Sequence, residues 1–561
     1  MENYNALYNL WRENCTDPEL SKELLEIDGN EKEILERFYS KLKFGTAGLR
    51  GVLGAGTNRM NIYTVNQATQ GISEYLNSSF ETPSVAIAYD SRINSELFAK
   101  ETAGVFAANG IKVYIYPELV PTPMLSFAVR RLKCSSGVII TASHNPAKYN
   151  GYKCYDPEGY QMTDTAAAEA YKYLEKVDLF LGVKKMAFEE GLSSGMIEFI
   201  PERISEEFFN LVESKCINKE ICKTSGLKVI YTPLNGTGNK PVRKILQRIG
   251  IDNVKIVSEQ ELPDGNFPTC PYPNPEIKQA FECAIKLAEC DGADILLATD
   301  PDCDRMGIAV FDGKEYKLMT GNEVGALFTE YVLSQYKEKG ALPQNPIVLK
   351  SFVTTGLVRA IAENYGAKVY DLLTGFKYIG EFITNLEKNG EEKNFILGME
   401  ESYGYLMGIH ARDKDAVVAS QLVCEMAAYY KSKGKTLLDV MNDIYEKYGI
   451  YLNKVDSFEF EGAAGMQKMS DIMEDLRKSA PERIAGMNVT DVTDYKNIKK
   501  TGLPAANVLS YKLECGNSVV IRPSGTEPKI KVYITAIAKS FSGAEELYKN
   551  ILDNAKQWLE V

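Results

Sequence analysis

Short apolar runs that stop abruptly at polar or glycine-rich loops recur through the chain, and this rhythm restricts the fold more than any other feature. Val85 to Tyr89 halts at Asp90, Gly137 to Ile140 at Thr141, and Val229 to Tyr231 ahead of Asn235-Gly236-Thr237-Gly238. Ile295 to Ala298 stops before Asp300, Ile347 to Leu349 at Lys350, and Phe395 to Leu397 at Gly398. Runs this short and this rich in β-branched residues read as strands covered on both faces. Segments of helical length lie between them, such as Pro275 to Cys290 and Ala416 to Lys433. Strands alternating with helices predict mostly parallel, doubly wound sheets, in which ligands gather at the carboxyl ends of the strands.

At ~100–200 residues per domain, a chain of 561 residues has room for roughly three to five domains. The rhythm groups into three α/β units, and the texture changes after about residue 450. There Ser518 to Ile521 and Ile530 to Ala538 lie close together and precede a helix from about Ser542 to Glu560. That pattern suits a smaller α+β domain with antiparallel pairing. The expected division is 1–204, 205–318, 319–452 and 453–561, the first stretch opening with a charged helical extension.

Composition removes several function classes. With 76 acidic against 64 basic side chains the net charge is −12, which repels phosphate backbones and argues against a nucleic-acid role. No run approaches the ~18 apolar residues of a membrane span, and Met1-Glu2-Asn3-Tyr4 does not open a signal peptide. The eleven cysteines are odd in number and never spaced C-x-x-C, which points to a reducing cytoplasm rather than disulfides or structural zinc. Only two histidines occur, His144 and His410, so a histidine-rich zinc centre is excluded. Chemistry here must rest on carboxylates, lysine, arginine, hydroxyls or a hard metal.

Four loops carry such groups. Thr141-Ala142-Ser143-His144-Asn145-Pro146 puts a serine at a strand end without the glycines of a hydrolase elbow; a capping turn is the plainer alternative. Asp300-Pro301-Asp302-Cys303-Asp304-Arg305 spaces three carboxylates to meet one ion. Arg305 and Phe311 stand where an EF-hand needs glycine and a carboxylate, so oxygen-only Mg²⁺ or Mn²⁺ binding is the reading, against a solvated acidic turn. Gly398-Met399-Glu400-Glu401-Ser402-Tyr403-Gly404 joins carboxylate and hydroxyl groups suited to sugar hydroxyls, or else starts a helix; His410-Ala411-Arg412-Asp413-Lys414-Asp415 follows. Arg522-Pro523-Ser524-Gly525-Thr526-Glu527-Pro528 offers a guanidinium, hydroxyls and open backbone N–H groups to an anion, or is a plain β-turn. Neither a P-loop nor a dinucleotide fingerprint occurs.

Taken in order, with Phe44-Gly45-Thr46-Ala47-Gly48-Leu49-Arg50-Gly51 ahead of them, these loops resemble the α-D-phosphohexomutase superfamily, specifically the phosphoglucomutase/phosphomannomutase enzymes. The resemblance implies three related doubly wound α/β domains plus a smaller C-terminal α+β domain around a central active-site cleft. It implies that Ser143 is phosphorylated, and that Asp300, Asp302 and Asp304 bind one Mg²⁺ together with the Ser143 phosphate. Glu400 and Ser402 would hold sugar hydroxyls, and Arg522, Ser524, Gly525 and Thr526 the phosphate that is not being transferred. Arg50, Lys153, Arg305 and Lys377 match further active-site cations of the family. Lys153, His144, His410 and Lys414 are the candidates for proton transfer.

Two departures stand out. Pro301 and Cys303 replace the glycines of the commoner D-G-D-G-D-R loop, and E-E-S-Y-G replaces E-M-S-G-H. The His410–Asp415 run resembles a phosphoglucomutase-type loop, so glucose phosphates come first, with glucose 1,6-bisphosphate as intermediate and activator; mannose or pentose phosphates are alternatives. A Mg²⁺-dependent phosphatase would need no second phosphate cradle, and a non-catalytic binding protein would need none of the serine and metal machinery. The expected partners are small-molecule sugar phosphates, with no nucleic acid or membrane, in a cytoplasmic monomer or dimer.

Overall fold

The structure is a computed structural model that describes residues 4–43, 45, 48–460, 462–524 and 529–559. It forms two compact units: Met1–Met319 with Ile379–Phe395 and Tyr403–Lys433, and Thr320–Tyr378 with Ile396–Ser402 and Gly434–Val561.

The first unit holds two sheets built on one plan. In the first, Ser136–Ile140, Ser84–Tyr89, Lys112–Ile115 and Ile197–Phe199 run parallel, each beside the next. On the other side of Ser136–Ile140 the sheet turns antiparallel, through Tyr149–Tyr155 and then Gly48–Val52. The second sheet repeats this. Ile295–Thr299, Val229–Thr232 and Val254–Ile256 are parallel, and Met306–Phe311 and Tyr316–Leu318 extend it antiparallel. The expectation of mostly parallel strands therefore needs this edge added. Residues 141–148 and 300–305 are too short for a crossover helix, which takes roughly a dozen residues, so the chain can only double back. Both strands that lead into these loops, Ser136–Ile140 and Ile295–Thr299, are buried throughout, which fixes the loops on rigid supports.

Local chemistry sets the helices. Asn61 and Thr64 close a capping box at the head of Ile62–Ser79. Asn239–Ile249 buries Pro241, Val242, Ile245, Leu246 and Ile249, a 3.6-residue stripe, at ~1.5–3 kcal/mol for each large aliphatic side chain. The helix expected from Pro275 begins later: a 3₁₀ turn covers Lys278–Phe281, and the α-helix is Glu282–Asp291. Asn274 Oδ1 captures the Glu276 N–H at 3.0 Å, a turn that competes with helix initiation. At the N-terminus, Tyr4–Asn14, Pro18–Glu26 and Glu31–Phe38 pack around the fully buried Trp11, whose ring lies 5.3 Å from that of Tyr63.

In the second unit Ile347–Ser351 runs parallel to Lys368–Leu372, beside helices Gly321–Glu338 and Gly356–Asn364. Its C-terminal part is a six-stranded antiparallel sheet. Ile450–Glu459, Lys529–Ala538, Ser518–Pro523, Leu509–Leu513, Met487–Asp494 and Arg483–Ile484 lie in that order. Helix Phe541–Leu559 buries Ala544, Tyr548, Ile551, Ala555 and Leu559, and this part is the smaller α+β domain expected from the sequence. Ile450–Glu459 opens ahead of residue 453. No helix among the described residues is long and apolar enough to cross a membrane.

Candidate active site

The doubling-back of the first two sheets puts their loops together in the first unit. Ser143 sits past the end of Ser136–Ile140 with φ 51°, and its amide donates to Thr141 Oγ1 at 2.9 Å. That backbone aims its hydroxyl at Asp300 Oδ2, 2.8 Å away in the next sheet's loop. His144 Nδ1 stands 3.3 Å from the same hydroxyl. Burial, then the Arg305 and Arg50 cations, hold the His144 pKa well below that of a free imidazole, so the ring beside Ser143 is neutral.

Asp300, Asp302 and Asp304 are all buried, with ligand oxygens within 4.8 Å of one another. Asp300 Oδ1 accepts the amides of Asp304 at 3.1 Å and Arg305 at 2.9 Å, which curls the loop around the carboxylate. Asp302 Oδ2 takes Lys153 Nζ at 2.8 Å and Thr122 Oγ1 at 3.1 Å. Asp304 Oδ2 takes Lys414 Nζ at 3.2 Å, with Lys153 Nζ at 3.9 Å. Burial and the neighbouring carboxylates raise the pKa of Asp300. Burial also raises that of Asp304, against Lys414 and Lys153. At Asp302 burial pushes the same way, but Lys153 overcomes it and the net shift is downward.

Asp302 Oδ1 and Asp304 Oδ1 are buried without a hydrogen-bond partner, a costly arrangement that a cation would relieve. Three clustered carboxylate oxygens form a hard donor set, and the site fits a divalent ion such as Mg²⁺.

Lys414 reaches the cluster because residue 404 is glycine. A Cβ there would fall 2.1 Å from Lys414 Cδ. Asp413 Oδ1 also takes the Lys414 ammonium at 3.1 Å, and Asp413 Oδ2 accepts from Tyr155 at 2.6 Å. His410 is turned elsewhere: Nε2 meets Asp415 Oδ2 at 2.7 Å, and the ring packs on Phe208. Arg50 lies exposed on Gly48–Val52, within electrostatic reach of Asp302 and Asp304. Arg305 pairs with Glu276 at 2.6 Å.

Arg92 was not among the sequence candidates. Its guanidinium clasps the carbonyls of Ser143 at 2.5 Å, Pro146 and Tyr149 at 3.0 Å each, and Asn145, and it lies beside Asp90 at 3.4 Å. Thr122, whose amide also donates to Asp302 O at 2.9 Å, was missed as well. The charged pair Asp90 and Arg92 directly after a buried strand was the available signal; Thr122 carried none.

The expected sugar and phosphate residues lie in the second unit. Glu400 is buried and accepts the Gly375 amide at 2.7 Å. Lys377 is buried near the Tyr378 ring, and Ser402 is half-buried. Neighbouring Glu401 is held by Ser351 at 2.8 Å and Thr354 at 3.2 Å. Arg522 pairs with Lys531 across the strands, and the Ser524 amide donates to Lys529 O at 2.8 Å. Gly525 and Thr526 lie outside the described residues, as do Phe44, Thr46 and Ala47 of the N-terminal motif.

Sequence profiles of phosphoglucomutase/phosphomannomutase α/β/α domains I, II and III match residues 41–179, 206–313 and 320–448. The chain belongs to the phosphoglucomutase/phosphomannomutase family. Among individual relatives, a phosphoglucomutase of Staphylococcus epidermidis is 37% identical over 91% of this chain and 93% of its own. A phosphoglucomutase of Staphylococcus saprophyticus is 35% identical over 94% and 96%. Two solved structures share the fold. The Paramecium phosphoprotein parafusin has a TM-score of 0.72 at 18% identity, covering 93% of this chain and 95% of its own. A Burkholderia thailandensis phosphoglucomutase/phosphomannomutase family protein has 0.69 at 17%, covering 92% and 98%.

Proposed function

We propose that this chain is a phosphoglucomutase, an isomerase interconverting glucose 1-phosphate and glucose 6-phosphate through a phosphorylated Ser143 and glucose 1,6-bisphosphate. The observation that carries it is the Ser143 hydroxyl 2.8 Å from Asp300, within a three-carboxylate cluster held by Lys153 and Lys414. The bond from phosphorus to Ser143 Oγ breaks as a bond to the free sugar hydroxyl forms, and the hydroxyl proton passes to a base. The bisphosphate then presents its other phosphate, which returns to Ser143. Asp300, Asp302 and Asp304 would hold Mg²⁺, which when bound would supply charge neutralisation for the phosphoryl group.

The chain's own groups do the rest. Arg92 fixes the Ser143 loop by its carbonyls. Lys153 and Lys414, both on cluster carboxylates, are the favoured proton carriers, and neutral His144 is a third. His410, bound to Asp415, acts through the position of that loop. Arg50 and Arg305 neutralise phosphate. Glu400, Ser402 and Lys377 meet the sugar, and Arg522, Ser524, Gly525 and Thr526 the resting phosphate. The reading carries with it four domains at 1–204, 205–318, 319–452 and 453–561, a cytoplasmic location and a monomer or dimer.

The test is a coupled assay of glucose, mannose and ribose 1-phosphates side by side, on wild type and Ser143→Ala. Glucose 1-phosphate should have the highest kcat/KM, and Ser143→Ala should lose mutase activity at unchanged thermal stability. Activity within about tenfold of wild type, ~1.4 kcal/mol in barrier, would remove the phosphoserine step.

A further inference from the structure

A cavity of about 300 Å³ opens in the first unit, with Phe127, Leu211 and Ile409 in its wall beside Arg130, Arg131, Lys215, His410 and one carboxylate, Glu387. The arginines are engaged. Arg130 donates to Ile409 O at 3.0 Å and Glu387 Oε2 at 2.6 Å, and Arg131 pairs with Glu207. Lys215 differs: burial lowers its pKa with no charged neighbour offsetting the loss of solvent, and no carboxylate pairs with it among the described residues.

His410 presents a second unmet group. A carboxylate only accepts, so the proton of the 2.7 Å contact with Asp415 sits on His410 Nε2. Nδ1, the other ring nitrogen, is buried and without a hydrogen-bond partner on a side chain only 1% exposed. Both groups line the same cavity. The Lys215 stem packs on Gly408 beside the ring: a Cβ at Gly408 would stand 2.7 Å from Lys215 Cε and 3.3 Å from His410 Nδ1, and with φ +94° the position favours glycine.

We propose that this cavity is a second ligand site, distinct from the carboxylate cluster. It takes a small hydroxylated organic anion, with the anionic head on Lys215 and a hydroxyl donating to His410 Nδ1. The apolar wall accepts the carbon skeleton. The other ring nitrogen holds Asp415, whose Oδ1 caps Val417 and Val418 at 2.7 and 3.1 Å, and the Ala416 amide donates to Cys303 O at 3.2 Å. A ligand here is thus joined by hydrogen bonds and one helix start to the carboxylate loop. The proposal does not depend on which sugar the active site takes.

The chain's two histidines make the test direct, since the imidazole ¹⁵N signals come only from His144 and His410. Full-length protein is titrated with glycerate and with glycerol 3-phosphate, which separate a carboxylate head from a phosphate head. Acetate and inorganic phosphate serve as controls without an alcohol hydroxyl. At least one probe should shift the His410 resonances saturably. Lys215→Met should weaken that binding tenfold or more with basal mutase activity unchanged, and Lys215→Arg should restore it. A shift confined to His144 reports the active site alone and overturns the proposal. So do an unmoved His410, equal shifts from the controls, or unchanged affinity in Lys215→Met. If Lys215→Met does not fold, the wild-type titration decides alone.

Discussion

Ser143 and Cys303 hold the same left-handed backbone, φ 51° in each, in the turn where a buried parallel strand doubles back in its own sheet. Tyr403, after Phe395–Glu400, repeats the conformation at φ 64°. One turn geometry thus presents the serine hydroxyl and curls the three carboxylates.

Cys303 stands where related loops carry glycine, so strain and packing can be separated there. Cys303→Gly relieves the left-handed penalty and loses a fully buried thiol, and it should change stability by less than ~1 kcal/mol. Cys303→Val adds a β-branch at positive φ and should cost ~1–3 kcal/mol. Thermal denaturation of both variants checks this; equal Tm values would mean the turn is not strained.

Asp302→Ala removes one of the cluster carboxylates and the only one whose pKa is lowered. Wild type should gain ~2.7 kcal/mol of stability at a Mg²⁺ concentration a hundredfold above Kd. The variant should gain nothing and lose most activity. A Mg²⁺-dependent rise in its Tm matching wild type, or full wild-type activity in excess chelator, would contradict the site.

Loss of the Arg522 guanidinium should cost ~1.5–3 kcal/mol per binding event, roughly ten- to 150-fold. On the proposed reading, in which the resting phosphate occupies that cradle in both orientations of the sugar, Arg522→Ala should lower kcat/KM for glucose 1-phosphate and glucose 6-phosphate together and release more bisphosphate. Kinetics in both directions, with the intermediate measured, decide it. A defect in one direction only would deny the shared cradle.

Away from the cluster, burial raises the Asp156 pKa to about 7. A carboxyl group whose folded pKa lies above its unfolded value contributes stability that is present below about pH 4 and lost as pH rises through 7. Asp156→Asn keeps the acceptor that takes the Glu158 amide at 3.0 Å and removes the titration. At pH 8 the variant should be more stable than wild type, by up to roughly 4 kcal/mol, with the advantage shrinking toward pH 4. Urea denaturation across that range tests the sign.

The sheets were legible because their strands are covered on both faces and end abruptly, and the aspartate loop because three like charges two residues apart demand a cation. The antiparallel edges were not, since Tyr149–Tyr155 mixes polar and aromatic residues and its identity depends on a short connection. Lys153 and Lys414 could be named from motifs, but their convergence on Asp302 and Asp304 joins residues far apart in the chain. Arg92 is a different case: the charged pair after a buried strand marks its position, but its partners are backbone carbonyls, which leave no mark in a sequence, so its role could not be read.

The stem of Lys414 runs through the space any side chain at position 404 would need. Position 404 is therefore closed to substitution although it contributes no group to the chemistry. In a saturation library, where tolerance is usually ranked by nearness to the reacting atoms, it should score with Ser143 and the aspartates. An engineer rebuilding the Glu400–Ser402 segment would have to leave Gly404 in place, or move the lysine with it.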